Sequence, residues 1–298
     1  MLFIKRLVLF IIGFALILVL AFWGFKQNFP GKSIADALQT RLTNQTGIPV
    51  EIEAFELGWL KVSTPEVTLR TPKWLAGTPD VRLLILENIE VPFASVITSG
   101  KARILGQLHG GTIEASTDLL TWETMDISLD GVQLERVPLI AAFPYAFISG
   151  SLSLSSEIDN IKAIQQQQSR FPEGNLKGQL NDVQIRISGG AALFNLQFPE
   201  LVFSEVMFDL QLGPLIAIKK IHLRGSLEGT IEGTIRLNEK RPQMSLIDLN
   251  FELTPAASLK EEISSFSTML RSFQCGETIK VNLKGSLNRL NFPTRNKC

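Results

Sequence analysis

The chain has 298 residues, and its 29 Lys and Arg residues are balanced by 29 Asp and Glu residues. Because nucleic-acid binding depends on many phosphate-neutralising basic residues, this zero net charge argues against a DNA- or RNA-binding role. The charged fraction of 19% is low, and 19 Phe against a single Tyr indicate either a Phe-rich core or an apolar surface that meets lipid or another protein.

The first predicted element is a membrane-spanning helix over residues 7–25, which read LVLFIIGFALILVLAFWGF and carry no charge. Such a helix is about 28 Å long, close to the roughly 30 Å hydrocarbon thickness of a bilayer. Basic and aromatic residues mark the two interfaces of this helix with water. Lys5 and Arg6 precede it, and Phe22, Trp23 and Lys26 lie at its far end. Bulky rings stand where a cleavable signal peptide has small residues, so we predict an uncleaved anchor with the N-terminus inside and the bulk of the chain outside.

Two short amphipathic helices are predicted outside the membrane. Ser33 and Asp36 form a capping pattern for the first, and Gly47 ends it. Its apolar face is formed by Ile34, Leu38 and Leu42. The second covers residues 258–273, where Ser258 begins another capping pattern and apolar residues recur at steps of three and four.

Most of the remaining chain alternates between apolar and polar residues, which predicts β-strands with one dry and one wet face. The clearest segment is residues 226–237, whose dry face carries two glycines and the apolar residues Leu227, Ile231, Ile235 and Leu237. Similar alternation occurs in residues 50–52, 81–91, 183–187, 206–212, 247–253 and 279–283. Asp130 and Gly131 predict a two-residue hairpin turn between strands 127–129 and 132–134.

These patterns predict a mainly β fold, in which the membrane helix is followed by an extended antiparallel sheet with two short helices. Residues 1–27 form the cytoplasmic stub and anchor, and a Gln-rich linker or loop at 160–175 separates β-rich halves at 28–159 and 176–298. Two short helices cannot cover so many strands. The sheet therefore either closes as a sandwich or opens as a trough, and its dry face is either a core or a groove.

The sequence carries no recognisable catalytic, cofactor-binding or metal-binding motif. His109 and His222 lie in or beside strand patterns, which is typical of structural histidines. Asp118, Asp126 and Asp130 fit turns and wet strand faces better than a carboxylate pair. We therefore predict a protein that is not an enzyme and needs no cofactor.

The two cysteines leave the redox state open. Cys275 and Cys298 are separated by 22 residues, a loop that a disulfide could close in an oxidising compartment. No C-x-x-C motif is present, so no metal or redox site is indicated.

The C-terminal third resembles the type II secretion system protein N family. The resemblance is carried by glycine-and-aliphatic blocks at residues 212–218, 221–237, 245–255 and 284–293. It implies a single-pass protein of the bacterial inner membrane, with its N-terminus in the cytoplasm and the bulk of the chain in the periplasm. The implied role is that of an accessory component that binds other proteins of the secretion apparatus.

The front half is similar to the opening of AsmA-like proteins. A helix is followed by residues 46–52, then 93–102 and 108–114 in the order that those proteins show. This similarity implies an alternative role, in which a β groove binds or transports phospholipid in the cell envelope. This chain is far shorter than the AsmA-like proteins that bridge two membranes.

Overall fold

The computed structural model describes residues 24, 26–71, 80–121, 123–138, 146–161, 171–187, 199–238, 244–262, 273–286 and 289–291. Apart from Gly24, the predicted membrane helix lies outside these residues, and so do Lys5, Arg6, Phe22 and Trp23. Lys26 is described and is exposed to solvent. Within the described ranges, no helix combines the length and the apolarity needed to cross a bilayer.

The described strands form one antiparallel sheet. Its strands are β1 Val50–Ile52, β2 Glu56–Leu57, β3 Lys61–Arg70, β4 Arg82–Pro92, β5 Lys101–Leu108, β6 Gly111–Asp118, β7 Met125–Gln133, β8 Ala146–Ile158, β9 Gly174–Ile187, β10 Leu201–Leu212, β11 Leu215–Gly225, β12 Leu227–Arg236, β13 Leu246–Pro255, β14 Gln274–Cys275, β15 Thr278–Ser286 and β16 Arg289–Asn291. The predicted mainly β fold and the extended antiparallel sheet are confirmed.

The topology is an almost unbroken meander. From β3 to β13 each strand pairs with the next one in the chain, β1 and β2 both pair with β3, and β14 and β16 both pair with β15. Strands β8 and β9 pair from Ile158 opposite Gly174 to Ala146 opposite Ile187. The sheet is therefore continuous across the Gln-rich segment 160–175.

The predicted hairpin at Asp130 and Gly131 is wrong. Both residues lie inside β7, which continues to Gln133 while it pairs with β8. The register shifts between Leu129 and Val132, and Gly131 has φ +68°. An Asp-Gly pair with a positive φ also suits a β-bulge, which here bends one strand without reversing it.

Helix α1 covers Gly31–Thr46 and ends at Gly47, as predicted, with Gly47 in the left-handed conformation and its N–H bonded to Thr43 O at 2.9 Å. The predicted cap at Ser33 is wrong, because the helix begins two residues earlier after Pro30.

Of the apolar face predicted for α1, Ile34 and Leu38 are exposed and Leu42 is half-buried, whereas the small residues Gly31 and Ala35 are buried. Small residues let the helix lie close against the chain after β1: a Cβ on Gly31 would be 1.8 Å from Phe55 O.

Two further helices are short. Helix α2 covers Phe93–Ser99 between β4 and β5 and was not predicted as a helix. Helix α3 covers Ala257–Glu262, so the second predicted helix begins one residue before Ser258. The rest of that prediction, residues 263–272, lies outside the described residues.

Candidate functional site

The predicted dry face of β12 is one strip of a larger apolar face. Ile231 lies opposite Phe251 of β13 and Ile221 of β11, and Ile235 lies opposite Ile247 and Ile216. Because cross-strand partners point to the same side of a sheet, these side chains share one face. The remaining predicted residue within the strand, Leu227, lies opposite Pro255 on the same face.

Leu237 lies just beyond the end of β12 and donates its backbone N–H to Pro214 O at 3.1 Å. It is half-buried, like Leu227, Ile231 and Ile235. The structure thus brings the three residues of the strand together on one face and places Leu237 at their end.

The strand registers extend this apolar face from β5 to β15. Its further members include Ile104, Ile113, Ile127, Leu129, Leu152, Leu154, Leu180, Ile185, Phe208, Leu210, Leu223, Leu249, Leu253, Val281 and Leu283. Nine spacings of about 4.8 Å make the face about 43 Å wide across the strands. The sequence predicted the strips, but which side chains lie opposite one another follows from the register of the strands.

Most side chains of the apolar face are half-buried rather than buried. Among the described residues, a buried cluster forms where Val183 of β9 meets Phe203 and Val206 of β10, with Ile221 and Leu223 packed against it. Elsewhere, residues such as Leu249, Phe251 and Val281 remain partly accessible. A sheet face of this chemistry is stabilised when further apolar surface covers it, by about 25 cal/mol per Å².

The opposite face of the sheet is polar and is crossed by ion pairs between neighbouring strands. Examples within 3 Å are Arg103–Glu114, Arg224–Glu205, Lys280–Glu252 and Lys284–Asp248. The Lys284 ammonium, 2.8 Å from Asp248 Oδ2, holds the pKa of that carboxyl below its ordinary value, and a hydrogen bond from Asn282 acts in the same direction. These exposed pairs mark a solvated surface and contribute little stability individually.

Two open cavities of about 560 and 970 Å³ lie on this polar face over strands β6 to β11. Ser155 and Lys177 line both of them. Asp209 lies 3.5 Å from Lys177 Nζ and 3.9 Å from Lys219 Nζ, so charges of both signs are close together. Polar and charged groups line both cavities, and the lining of the larger one also includes the apolar residues Leu129, Met207 and Phe208. The continuous apolar face is the better candidate for an apolar ligand.

The histidines and aspartates lie in turns and on the polar face, where Asp130 and His222 both line the larger cavity. His109 lies in the β5–β6 turn, where burial lowers the pKa of its imidazole, and His222 lies on the polar face of β11. Asp118 Oδ1 accepts a turn hydrogen bond from Leu120 N–H at 2.7 Å, and Asp130 accepts one from Ser153 Oγ at 2.7 Å. Within the described part of the chain, no group of three or more His, Cys, Asp or Glu residues is placed to hold a metal ion.

Gly229 and Gly233 of β12 sit on the apolar face at φ +149° and +144°. A Cβ on Gly229 would lie 1.9 Å from Glu252 O, and one on Gly233 would lie 2.1 Å from Asp248 O. Only glycine fits such close contact with the backbone of β13 at these dihedral angles. The spacing of Gly229 and Gly233 is therefore explained by the close approach of β12 to β13.

Cys275 in β14 is disulfide-bonded. The only other cysteine in the sequence is Cys298, which lies outside the described residues. The disulfide that the sequence left open is therefore present at Cys275.

Comparisons with protein-family models, curated proteins and solved structures find no match to this chain. The two resemblances described above therefore rest on sequence motifs alone.

Proposed function

We propose that this chain is a non-catalytic binding module of the bacterial cell envelope, tethered to the inner membrane, whose apolar sheet face receives the acyl chains of phospholipid. The observation that carries this proposal is the continuity of the apolar face from β5 to β15, with most of its side chains half-buried. An acyl chain reaches about half of the roughly 30 Å hydrocarbon thickness, so the face has room for more than one.

In this proposal the sheet curves into a trough, which is the open form predicted from the sequence, and the apolar face lines the trough. Neighbouring strands rotate by about 20°, and β-bulges and glycine kinks add local curvature. Register shifts occur in the pairings of β4–β5, β7–β8, β8–β9, β10–β11 and β11–β12. Each methylene moved from water onto this lining contributes about 0.8 kcal/mol, which favours long acyl chains over short ones.

The test compares phospholipid that co-purifies with the full-length chain in mild detergent. Ile231→Asp and Ile235→Asp place a carboxylate on the apolar face, whereas Ala217→Asp places one on the polar face, opposite Thr234 and Gln211. We expect both isoleucine variants to lose bound phospholipid several-fold and Ala217→Asp to retain it, with circular dichroism verifying that all three keep their sheet. Equal phospholipid in the three variants, or none in the wild type, would refute the proposal.

A second candidate function is that of an accessory component of the type II secretion system. The observation that favours it is that the described residues of the four blocks fall in one contiguous part of the sheet, β10 to β16. On this proposal the polar face and its cross-strand ion pairs bind other proteins of the apparatus.

In-cell cross-linking from the polar face tests this second candidate. A photo-reactive residue at Glu232, an exposed position of β12, is expected to capture a component of the secretion apparatus, and deletion of the gene is expected to lower secretion of the substrates of that apparatus. Normal secretion in the deletion strain would exclude the secretion role and leave the lipid proposal standing.

A further inference from the structure

Several connections of the chain meet at one end of the sheet. These are the start of α1, the β2–β3 turn, helix α2 and the β6–β7 turn, and we call this region the proximal end. Two backbone hydrogen bonds join helix α2 to the two turns: Phe93 N–H to Leu60 O (2.8 Å) and Leu119 N–H to Gly100 O (3.0 Å). These bonds hold the two turns beside the two ends of α2. A third, from Phe55 N–H of the β1–β2 connection to Gly31 O (3.3 Å), holds the start of α1 beside β2.

The proximal end exposes large apolar side chains. Trp59 and Leu60 of the β2–β3 turn are 62% and 64% exposed, Ile97 of α2 is 79% exposed, and Leu120 of the β6–β7 turn is 89% exposed. Single exposed apolar residues are common, but four on adjoining connections form a patch of the kind that marks an interaction surface.

The predicted anchor identifies the partner. The charge-free segment ends at residue 25, and α1 begins at Gly31, where its backbone meets Phe55 at the proximal end. The six Cα–Cα steps from residue 25 to Gly31 span at most about 20 Å, which keeps the proximal end near the bilayer surface. Trp is also a residue that favours the interface between lipid and water.

The charges near the proximal end are mixed. Lys26, Lys32 and Lys101 are exposed, as are Glu56 and Glu123. A basic patch that would require anionic lipid is therefore not formed by these residues. The contact should depend on apolar insertion and should occur on zwitterionic lipid.

We propose that the proximal end rests on the surface of the membrane that anchors the chain, with Trp59, Leu60, Ile97 and Leu120 inserted at the level of the headgroups. This contact orients the sheet, so that its strands lead away from the bilayer and the apolar face begins at the membrane. It uses a different surface from the proposed lipid-binding face and depends on the predicted anchor.

The test uses full-length protein reconstituted into phosphatidylcholine vesicles. The photo-reactive residue benzoylphenylalanine replaces Ile97 or Leu120, and a matched control replaces Phe147, an apolar residue that is 50% exposed at the opposite end of the sheet. After irradiation, mass spectrometry of the protein is expected to show at least fivefold more phosphatidylcholine adduct at positions 97 and 120 than at position 147. Added phosphatidylglycerol should not raise the total lipid adduct.

Equal lipid adducts at the three positions would overturn the proposal. A covalent dimer in place of the lipid adduct would also overturn it, because a second copy of the chain would then cover the proximal end. Lipid co-purification with Ile231→Asp reports on the apolar face alone, so the membrane contact and the lipid-binding function can fail independently.

Discussion

Replacement of Gly229 by alanine tests whether the glycines of β12 are required by the sheet. The added Cβ would lie 1.9 Å from Glu252 O, so β12 and β13 would have to separate. The φ of +149° is a second cost, of about 1–3 kcal/mol for a residue other than glycine, and overpacking adds about 1–3 kcal/mol. We therefore expect Gly229→Ala to lower the free energy of unfolding by about 2–6 kcal/mol, a large part of the stability of an ordinary domain.

Gly276 provides the matched control, because it has φ +69° and a Cβ added to it would have no atom within 4 Å. Gly276→Ala should cost only about 1–2 kcal/mol, the penalty of a left-handed conformation. The assay is urea unfolding of the full-length chain in detergent, followed by tryptophan fluorescence. If the unfolding midpoint of Gly229→Ala matched that of Gly276→Ala, close approach of β12 to β13 would not be the reason for the glycine.

Three further predictions concern pH, redox state and the sheet edge. Burial lowers the pKa of His109, so the unfolded chain binds the proton first and stability falls as the pH drops through about 6.5. His109→Asn, whose side chain suits φ +47°, should reduce the loss of urea midpoint between about pH 7.5 and 5.5, and an unchanged loss would contradict this. Maleimide should label Cys275 in the variant Cys298→Ser but should not label it in the unreduced wild type. Labelling of Cys275 in the unreduced wild type would exclude the disulfide. Thr43→Val removes the hydrogen bond from Val50 N–H of the edge strand β1 to Thr43 Oγ1 (3.1 Å). It should lower the free energy of unfolding by about 1 kcal/mol in the same urea assay. An unchanged unfolding midpoint would mean that this bond does not stabilise β1.

The strands could be predicted from the sequence because alternation alone specifies which side of a strand is dry. In β12, Leu227, Ile231 and Ile235 alternate with polar residues without interruption, and the structure places them on one face. The sequence could not predict that Ile231 lies between Ile221 and Phe251, because register depends on bulges and on the lengths of the turns.

The sequence predictions were wrong where one local residue pattern is compatible with two different structures. Asp130 and Gly131 suit a hairpin turn and also a bulge, and only the pairing of β7 with β8 decides between them. Helix α2 contains Val96, Ile97 and Thr98, which favour strands, and no side chain caps its first turn. Helix α1 packs through the small residues Gly31 and Ala35, so the positions of its large apolar residues do not indicate its buried side.

The central claim is that acyl chains lie on the apolar face of the sheet. It is tested most directly by benzoylphenylalanine placed in living cells at Phe251, on the apolar face of β13, and at the adjacent Asn250, which is exposed on the polar face. We predict a phospholipid adduct at position 251 and little or none at position 250, detected by mass spectrometry of the purified full-length chain. Equal adducts at both positions, or no lipid adduct at position 251, would contradict the claim.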